Sequence, residues 1–467
     1  MFETIIDAIN TFLYSKLLIV ILIGSGIYFT VRTRFPQVRL FKNACSAVME
    51  KPEGDESVSS FQALMVSTAS RVGTGNIVGV SSAICIGGVG SVFWMWIIAI
   101  LGSASALAES TLAQIYKKKG KDGECYGGPA YYIEAALHCR PLAIIFCISM
   151  IATYAFGFNM LASYNLQSTF SGFSFYDTKW TPWIIGGILA LITGWCLLGG
   201  GSRIVKVTST LVPAMGVAYI LIAVIVMIIN HAYLPVVFSK IISEAFDFQA
   251  IFGAFAGSAM MQGIRRGLYS NEAGIGSAPN PSASAQVSHP IKQGLVQMLS
   301  VFIDTLLLCT ATAMMCLSSG IAPAQELQGA PWVQAALHES LGNFGPLFIT
   351  VAMVLFAFTT LLGNCFYCDN LLNYIHKGQP SKTFMKGFRI VSALVVFIGA
   401  GMEVSMLWNI SDVLMGVMAL INIPVILILS NTALKALADY EKQKKDGENP
   451  VFRTRDIGLE YETDYWG

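Results

Sequence analysis

Residues 61–84 read Phe-Gln-Ala-Leu-Met-Val-Ser-Thr-Ala-Ser-Arg-Val-Gly-Thr-Gly-Asn-Ile-Val-Gly-Val-Ser-Ser-Ala-Ile, and the middle of that stretch decides the fold. Both flanks suit a membrane-embedded helix, yet Val72-Gly73-Thr74-Gly75-Asn76 does not hold a regular ladder. Each glycine costs about 1 kcal/mol against alanine inside a helix. Unpaired backbone groups in hydrocarbon cost several kcal/mol each, so non-helical chain survives at membrane depth only where it is buried in protein or lines a wet cavity. Interrupted helices of this kind turn half-helix ends toward ions and zwitterions, and secondary transporters build binding sites from them.

Composition agrees with a membrane setting. Of the 467 residues 54% are hydrophobic and 12% charged, whereas a soluble domain carries roughly 25% charge. A net charge of +1 offers no bulk attraction to nucleic acid. The ten cysteines lie mostly in apolar runs and read as small buried hydrophobes. Cys365-x-x-Cys368 has no companion pair, and His138, His231, His289, His338 and His376 show no ligand spacing, so no zinc-type site is expected. No phosphate-binding loop or catalytic triad pattern is present, which speaks against ATP coupling and against an enzyme.

A window of about 20 residues per span predicts an all-α polytopic membrane protein of about eleven helices. They fall near 15–31, 61–84, 90–116, 141–170, 181–199, 203–229, 250–266, 290–318, 343–372, 384–401 and 408–434. The first apolar run has no small-residue cleavage site behind it and reads as a retained helix. Lysines and arginines crowd alternate loops, including Arg32–Lys51, Lys117–Lys121, Arg203–Lys206, Lys377–Arg389 and Lys435–Arg455. The positive-inside rule then places the N-terminus outside and the C-terminus in the cytoplasm.

Setting the first helix aside leaves two runs of five. The first run opens with the break at 72–76, and the second opens with Gly-Ala-Phe-Ala-Gly-Ser-Ala-Met-Met-Gln-Gly at 253–263, read as a second break. An odd number of crossings per unit inverts the second unit, and matching breaks in inverted halves point to a transport site near the midplane. The expected organisation is an N-terminal helix and cytosolic loop (1–60), a first five-helix repeat (61–230), an extracellular connector (231–249), a second inverted repeat (250–435) and a cytosolic tail (436–467).

A zwitterion entering such a site, a carboxylate with an ammonium for instance, loses water from both charges. The start of the half-helix after the break offers free N–H groups and partial positive charge, which assigns the carboxylate to Thr74, Gly75 and Asn76. Glycine there lets the backbone approach a ligand closely. The preceding half-helix ends in carbonyls of partial negative charge, and those of Ala69 and Val72 suit a hard cation. Gly257, Ser258 and Gln262 are the corresponding substrate candidates at the second break.

The chain resembles the alanine or glycine:cation symporters, sodium:amino-acid carriers of the amino acid–polyamine–organocation superfamily. The matching stretches are Arg71-Val-Gly-Thr-Gly-Asn-Ile-Val-Gly79, the glycine- and tryptophan-rich run 87–102, Ala108-Glu-Ser-Thr-Leu-Ala113, Gly127-Gly-Pro-Ala-Tyr-Tyr-Ile133 and the run from Arg265 to Pro279. The resemblance implies a LeuT-type fold of five-plus-five inverted helices, a small neutral amino acid as substrate, sodium as coupling ion and a cell inner or plasma membrane as the location. It also implies that Thr359 and Thr360 join the Ala69 and Val72 carbonyls around sodium; hydroxyls bonded to their own helix are the alternative. The chain has Ala162 and Asn364 where alanine-carrying members often have glutamine and tryptophan. If both line the pocket, a longer polar side chain fits, and glutamine rivals alanine or glycine.

Ionisable residues at membrane depth are functional candidates. Arg71 abuts the break and reads as a gate on the cytoplasmic path or a clamp on the loop, with a structural pairing to a nearby acid as the alternative. Arg265, Arg266, Asn271 and Glu272 read as an inner gate at the cytoplasmic mouth, with topogenic charge as the plainer reading of the arginines. Glu109, Asp304 and Asp369 lie within or near apolar spans, as coupling groups or as structural hydrogen-bond partners. The leading reading is a sodium-coupled importer of alanine or glycine working by alternating access in a lipid bilayer, with no obligatory protein partner. A sodium-coupled glutamine carrier is the alternative, and a membrane channel or solute sensor is the alternative of another class.

Overall fold

The computed structural model describes residues 2–50, 58–120, 124–246, 258–459 and 463–466. Among these residues the chain is almost wholly helical, with one two-stranded ribbon pairing Lys118–Lys119 with Cys125–Tyr126. Eight helices are long and apolar enough to cross a membrane, and two shorter apolar helices, Thr74–Gly87 and Thr181–Leu197, accompany them. Each expected span meets a helix. The first begins at Phe2 and not near 15, because the amphipathic Phe2–Phe12 segment packs along Val404–Ile428, where the Asn10 amide donates to Asn409 at 3.0 Å.

The first interruption lies where the sequence places it. Helix Ser60–Arg71 starts at a capping box, in which the Gln62 amide donates to the Ser59 hydroxyl and the Ser59 amide to the Gln62 side chain. It stops at Val72. A single tight turn, Thr74–Asn76, follows, and Val78–Gly87 resumes the span.

The break expected at 253–263 lies in part outside the described residues, Gly257 among them; from Ala259 to Asn271 the chain is one unbroken helix that passes through Gln262 and Gly263. A second interruption among the described residues, not expected from the sequence, follows it. The chain leaves helical geometry after Asn271. Glu272 is left-handed (φ 53°), Gly274 and Gly276 follow at φ 84° and 90°, and a short helix resumes at Pro279–Ser284. Helix 259–271 packs along 78–87, and helix 279–284 packs against 60–71. The half before one break thus lies beside the half after the other, so the two interrupted helices run antiparallel, as an inverted repeat requires.

Three long helices contain a wider π-type stretch, at Leu13–Leu18, Ala152–Phe158 and Phe302–Cys309. Such stretches rotate the side chains that follow and recur at functional positions. The second and third supply residues to the first interruption.

Candidate functional site

At the first break the ladder is surrendered in a specific order. The Gly73 amide, which in an unbroken helix would bond the Ala69 carbonyl, instead donates to the Asn76 Oδ1 at 2.9 Å. The Asn76 amide then donates to the Gly73 carbonyl, not to that of Val72. The carbonyls of Ala69 and Val72 are therefore released from helical pairing. Both residues are buried, as are Thr74, Gly75 and Asn76.

Three surrounding elements complete the site. From helix 290–317, Asp304 accepts from the Asn76 side-chain amide (2.8 Å), the Ser270 hydroxyl (2.8 Å) and the Thr305 hydroxyl (2.8 Å). From helix 140–168, Asn165 donates to the Thr74 hydroxyl at 3.1 Å. From helix 344–375, Thr360 presses on the break so closely that a Cβ on Gly73 would overlap its hydroxyl. That hydroxyl is buried and has no partner among the described residues. Thr359 differs, because its hydroxyl donates to the carbonyls of its own helix at Leu355 (3.0 Å) and Phe356 (3.2 Å). The plainer reading of the threonine pair holds for one member and not for the other. An orphaned hydroxyl beside freed carbonyls is a donor set that suits a hard cation such as sodium.

An aromatic stack covers the other side. A Cβ on Gly75 would come within 2.7 Å of the Tyr269 ring, which packs edge-on against Phe158 at 4.8 Å and Trp408 at 4.9 Å. Above it, the Arg266 guanidinium lies 3.9 Å from the Trp408 ring and pairs with Asp412 at 2.6 Å. Both charged side chains are almost completely buried, at 6% and 1% exposure. Arg265 lies over Tyr14 at 4.7 Å.

The structure corrects two expectations here. Arg265 and Arg266 do not meet Asn271 and Glu272 in an inner gate; they sit before the second break, against the first helix and Val404–Ile428. Windowed hydropathy takes two arginines as the end of a span, but here rings and a carboxylate cover them. Gln262 lies inside an unbroken helix and not at an interruption. Ser258 caps its helix by accepting from the Met261 amide, and Gln262 packs where a Cβ on Gly87 would be, at the far end of the resumed half-helix. Asn364 accepts from Ser70 (2.7 Å) and donates to Asn159 (2.9 Å), tying three helices together. Ala162 is fully buried in the core cluster that also holds Ala69 and Val72.

The second break has its own partner. Glu109, buried in helix Ser91–Ile115, accepts from the amides of Gly274 and Gly276 (3.1 Å each) and from Asn422 (2.8 Å). Glu272 accepts from Ser70 (3.1 Å) and Ser277 (2.7 Å). Asn271 turns back to accept from the Ala273 amide at 3.1 Å. Arg71 donates to the Gln297 side-chain oxygen at 3.3 Å, while its Nε and Nη2 have no partner among the described residues. Asp369 pairs with Arg389 at 2.7 Å, its structural reading. Asp412, Trp408, Tyr269 and Asn165 escaped the sequence reading, although Asp412, an acid inside an apolar run, carried the same signal as Asp304.

Compared with known proteins, residues 1–454 match the profile described as the sodium:alanine symporter family. The chain is 43% identical over 457 residues to the amino-acid carrier protein AlsT of Bacillus subtilis, covering 98% of this chain and 96% of that one. It is 42% identical over 453 residues to the probable sodium/glutamine symporter GlnT of the same organism, covering 96% and 93%. It is 35% identical over 455 residues to the sodium/alanine symporter AgcS of Methanococcus maripaludis, covering 95% and 98%. Among solved structures, MhsT in complex with L-phenylalanine superposes with a TM-score of 0.51 at 13% identity, over 86% of this chain and 92% of that one, a likeness of fold alone.

Proposed function

The chain belongs to the sodium:alanine symporter family, and on that premise we propose that it imports alanine or glycine together with sodium by alternating access. The observation that carries the reading is the partnerless Thr360 hydroxyl pressed on Gly73, in the segment whose turn frees the Ala69 and Val72 carbonyls. Sodium held there neutralises the end of half-helix 60–71, while the amides that begin the next turn at Thr74 and Gly75 receive the substrate carboxylate. Asn76 links the two places, because its side chain caps Gly73 and also reaches Asp304. Ion and zwitterion thus stabilise one bent conformation of the same segment, which is the physical content of coupling.

In the orientation that the lysine and arginine bias favours, half-helix 60–71 faces the cytoplasm and the Arg266–Asp412 pair faces outside. The pair, with Trp408 and Tyr269, then closes the outer path, and the closure attributed to the arginines moves to that side. A small substrate is favoured over glutamine by Asn364, whose amide is committed at both ends. The 42% identity to a probable sodium/glutamine symporter is the specific reason to keep glutamine as the second reading.

The test is uptake of labelled alanine, glycine and glutamine into proteoliposomes, with and without an inward sodium gradient. Alanine or glycine should accumulate only with the gradient and leak out when a sodium ionophore is added. Uptake indifferent to sodium ends the coupling proposal, and uptake of glutamine alone ends the substrate proposal.

A further inference from the structure

On the face where half-helix 60–71 begins, the last part of the chain is fastened at two buried lysines. Lys292 donates to Glu50 (2.5 Å), Ser288 (2.6 Å) and the Asn449 side chain (3.0 Å), so it joins the loop before the half-helix to the start of the tail. Lys117, fully buried, donates to the Ala285 carbonyl at 2.9 Å and lies 3.7 Å from the Tyr465 ring and 5.1 Å from that of Trp466. The Trp466 indole donates to the Gln114 carbonyl at 2.7 Å and packs on the small cluster of Ala63, Ala285 and Val287. Between the two fasteners, the Phe452 amide donates to the Ser288 carbonyl (2.9 Å), Ser288 donates to the Pro450 carbonyl (2.7 Å), and Phe452 meets Trp466 edge-on at 5.3 Å.

What lies beneath is the part that has to move. Ala285 forms a bridge with Val58, the Gln286 amide donates to the Val58 carbonyl at 3.1 Å, and Gln293 donates to Ser60 at 2.9 Å. Val58 and Ser60 lead directly into the half-helix that ends at the first break, and Ala63 lies one turn inside it. Opening a path from the break to the cytoplasm requires that half-helix to separate from 285–293. Trp466 covers both sides of that seam at once.

We propose that the C-terminal segment, through Asn449, Phe452, Tyr465 and Trp466, is an autoinhibitory strap that holds half-helix 60–71 closed and limits how often the inner path opens. The strap is held by rings on an ammonium and by a few side-chain bonds, interactions that local fluctuations release without unfolding the bundle. The inference rests on the alternating-access reading and on the orientation proposed above.

The test uses the full-length carrier and its Trp466→Ala variant, with amide hydrogen exchange as the first readout. That measurement needs neither sodium nor substrate, so its failure is distinct from a failure of sodium-coupled uptake. Exchange over residues 58–71 should accelerate by about tenfold, the effect of losing one desolvated cation–π contact, while helices 344–375 and 382–400 exchange as before. Sodium-driven uptake by the variant should start faster than by the wild type. Trp466→Phe, which keeps a ring on the seam, should behave as the wild type. Phe452→Ala, which removes the ring that braces Trp466, should reproduce the regional acceleration and guards against one ill-folded variant. Unchanged exchange over 58–71 in both alanine variants, acceleration spread over the whole bundle, or slower uptake in a folded variant overturns the strap.

Discussion

The two interrupted helices treat their freed groups differently. At 272–278 the amides of Gly274 and Gly276 go to a buried carboxylate, that of Glu109, and the Ser277 hydroxyl donates to Glu272. At 72–76 the amide of Gly73 is satisfied by Asn76, yet the carbonyls of Ala69 and Val72 and the hydroxyl of Thr360 are left over. Burying a polar group without a partner costs free energy, whereas a hydrogen bond to a charged group repays most of that cost. The second break thus anchors its amides on a carboxylate of the protein, whereas the first leaves the Thr360 hydroxyl without a partner among the described residues. On the reading proposed above, that difference assigns the ion to the first break.

This contrast breaks if Glu109 is dispensable. Glu109→Ala removes three hydrogen bonds at once and leaves two buried amides without acceptors, each worth about 1–3 kcal/mol. We expect the largest loss of the series, on the order of 5 kcal/mol, seen as a much lower melting temperature in detergent and no uptake. A variant that melts like the wild type would show that 272–278 does not depend on its carboxylate.

Gly73→Ala attacks the other break. The new methyl group overlaps the Thr360 hydroxyl and approaches the Thr360 Cβ within 3.3 Å, so overpacking of about 1–3 kcal/mol is expected. The variant should fold, melt somewhat earlier and lose the stabilisation that sodium gives the wild type. Adding Thr360→Ala should recover the melting temperature but not the response to sodium. Recovery of both would move the ion elsewhere.

Thr360→Val against Thr359→Val sharpens the comparison to one hydroxyl. Both changes preserve shape, but of the two only Thr360 has a hydroxyl without a partner among the described residues. Losing one ion ligand worth about 1.4 kcal/mol raises the sodium concentration for half-maximal uptake by about tenfold. Thr359→Val should shift it far less, and equal shifts would mean that both threonines serve the ion.

The first break was legible because glycine and asparagine stand in a run that is otherwise apolar and helical, so a fault in the ladder shows against its surroundings. The second was not, for the opposite reason. Asn271-Glu-Ala-Gly-Ile-Gly-Ser277 follows two arginines and looks like a loop leaving the membrane. Burial of Arg265 under Tyr14 and of Arg266 between Trp408 and Asp412 depends on residues more than 140 positions away in the chain. Local pattern carries no trace of such partners. Glu109, Asp304 and Asp412 share one local signature, an acid among apolar neighbours, and only the structure separates a loop clamp, a partner of Asn76 and a counter-charge for arginine.

The smallest expected effect tests that misplacement directly. Nearness to an apparent break is what assigns Gln262 to substrate, yet it packs beside Gly87, roughly 13 Å of helix beyond Val78 at 1.5 Å per residue. Changes at sites this far apart with no shared partner combine additively, so Gln262→Ala should alter the apparent affinity for substrate by less than about twofold while Asn76→Ala abolishes uptake. Should Gln262→Ala weaken substrate binding as strongly as a change at the first break, the substrate would have to extend along the whole resumed half-helix, and a small amino acid is too short to do so.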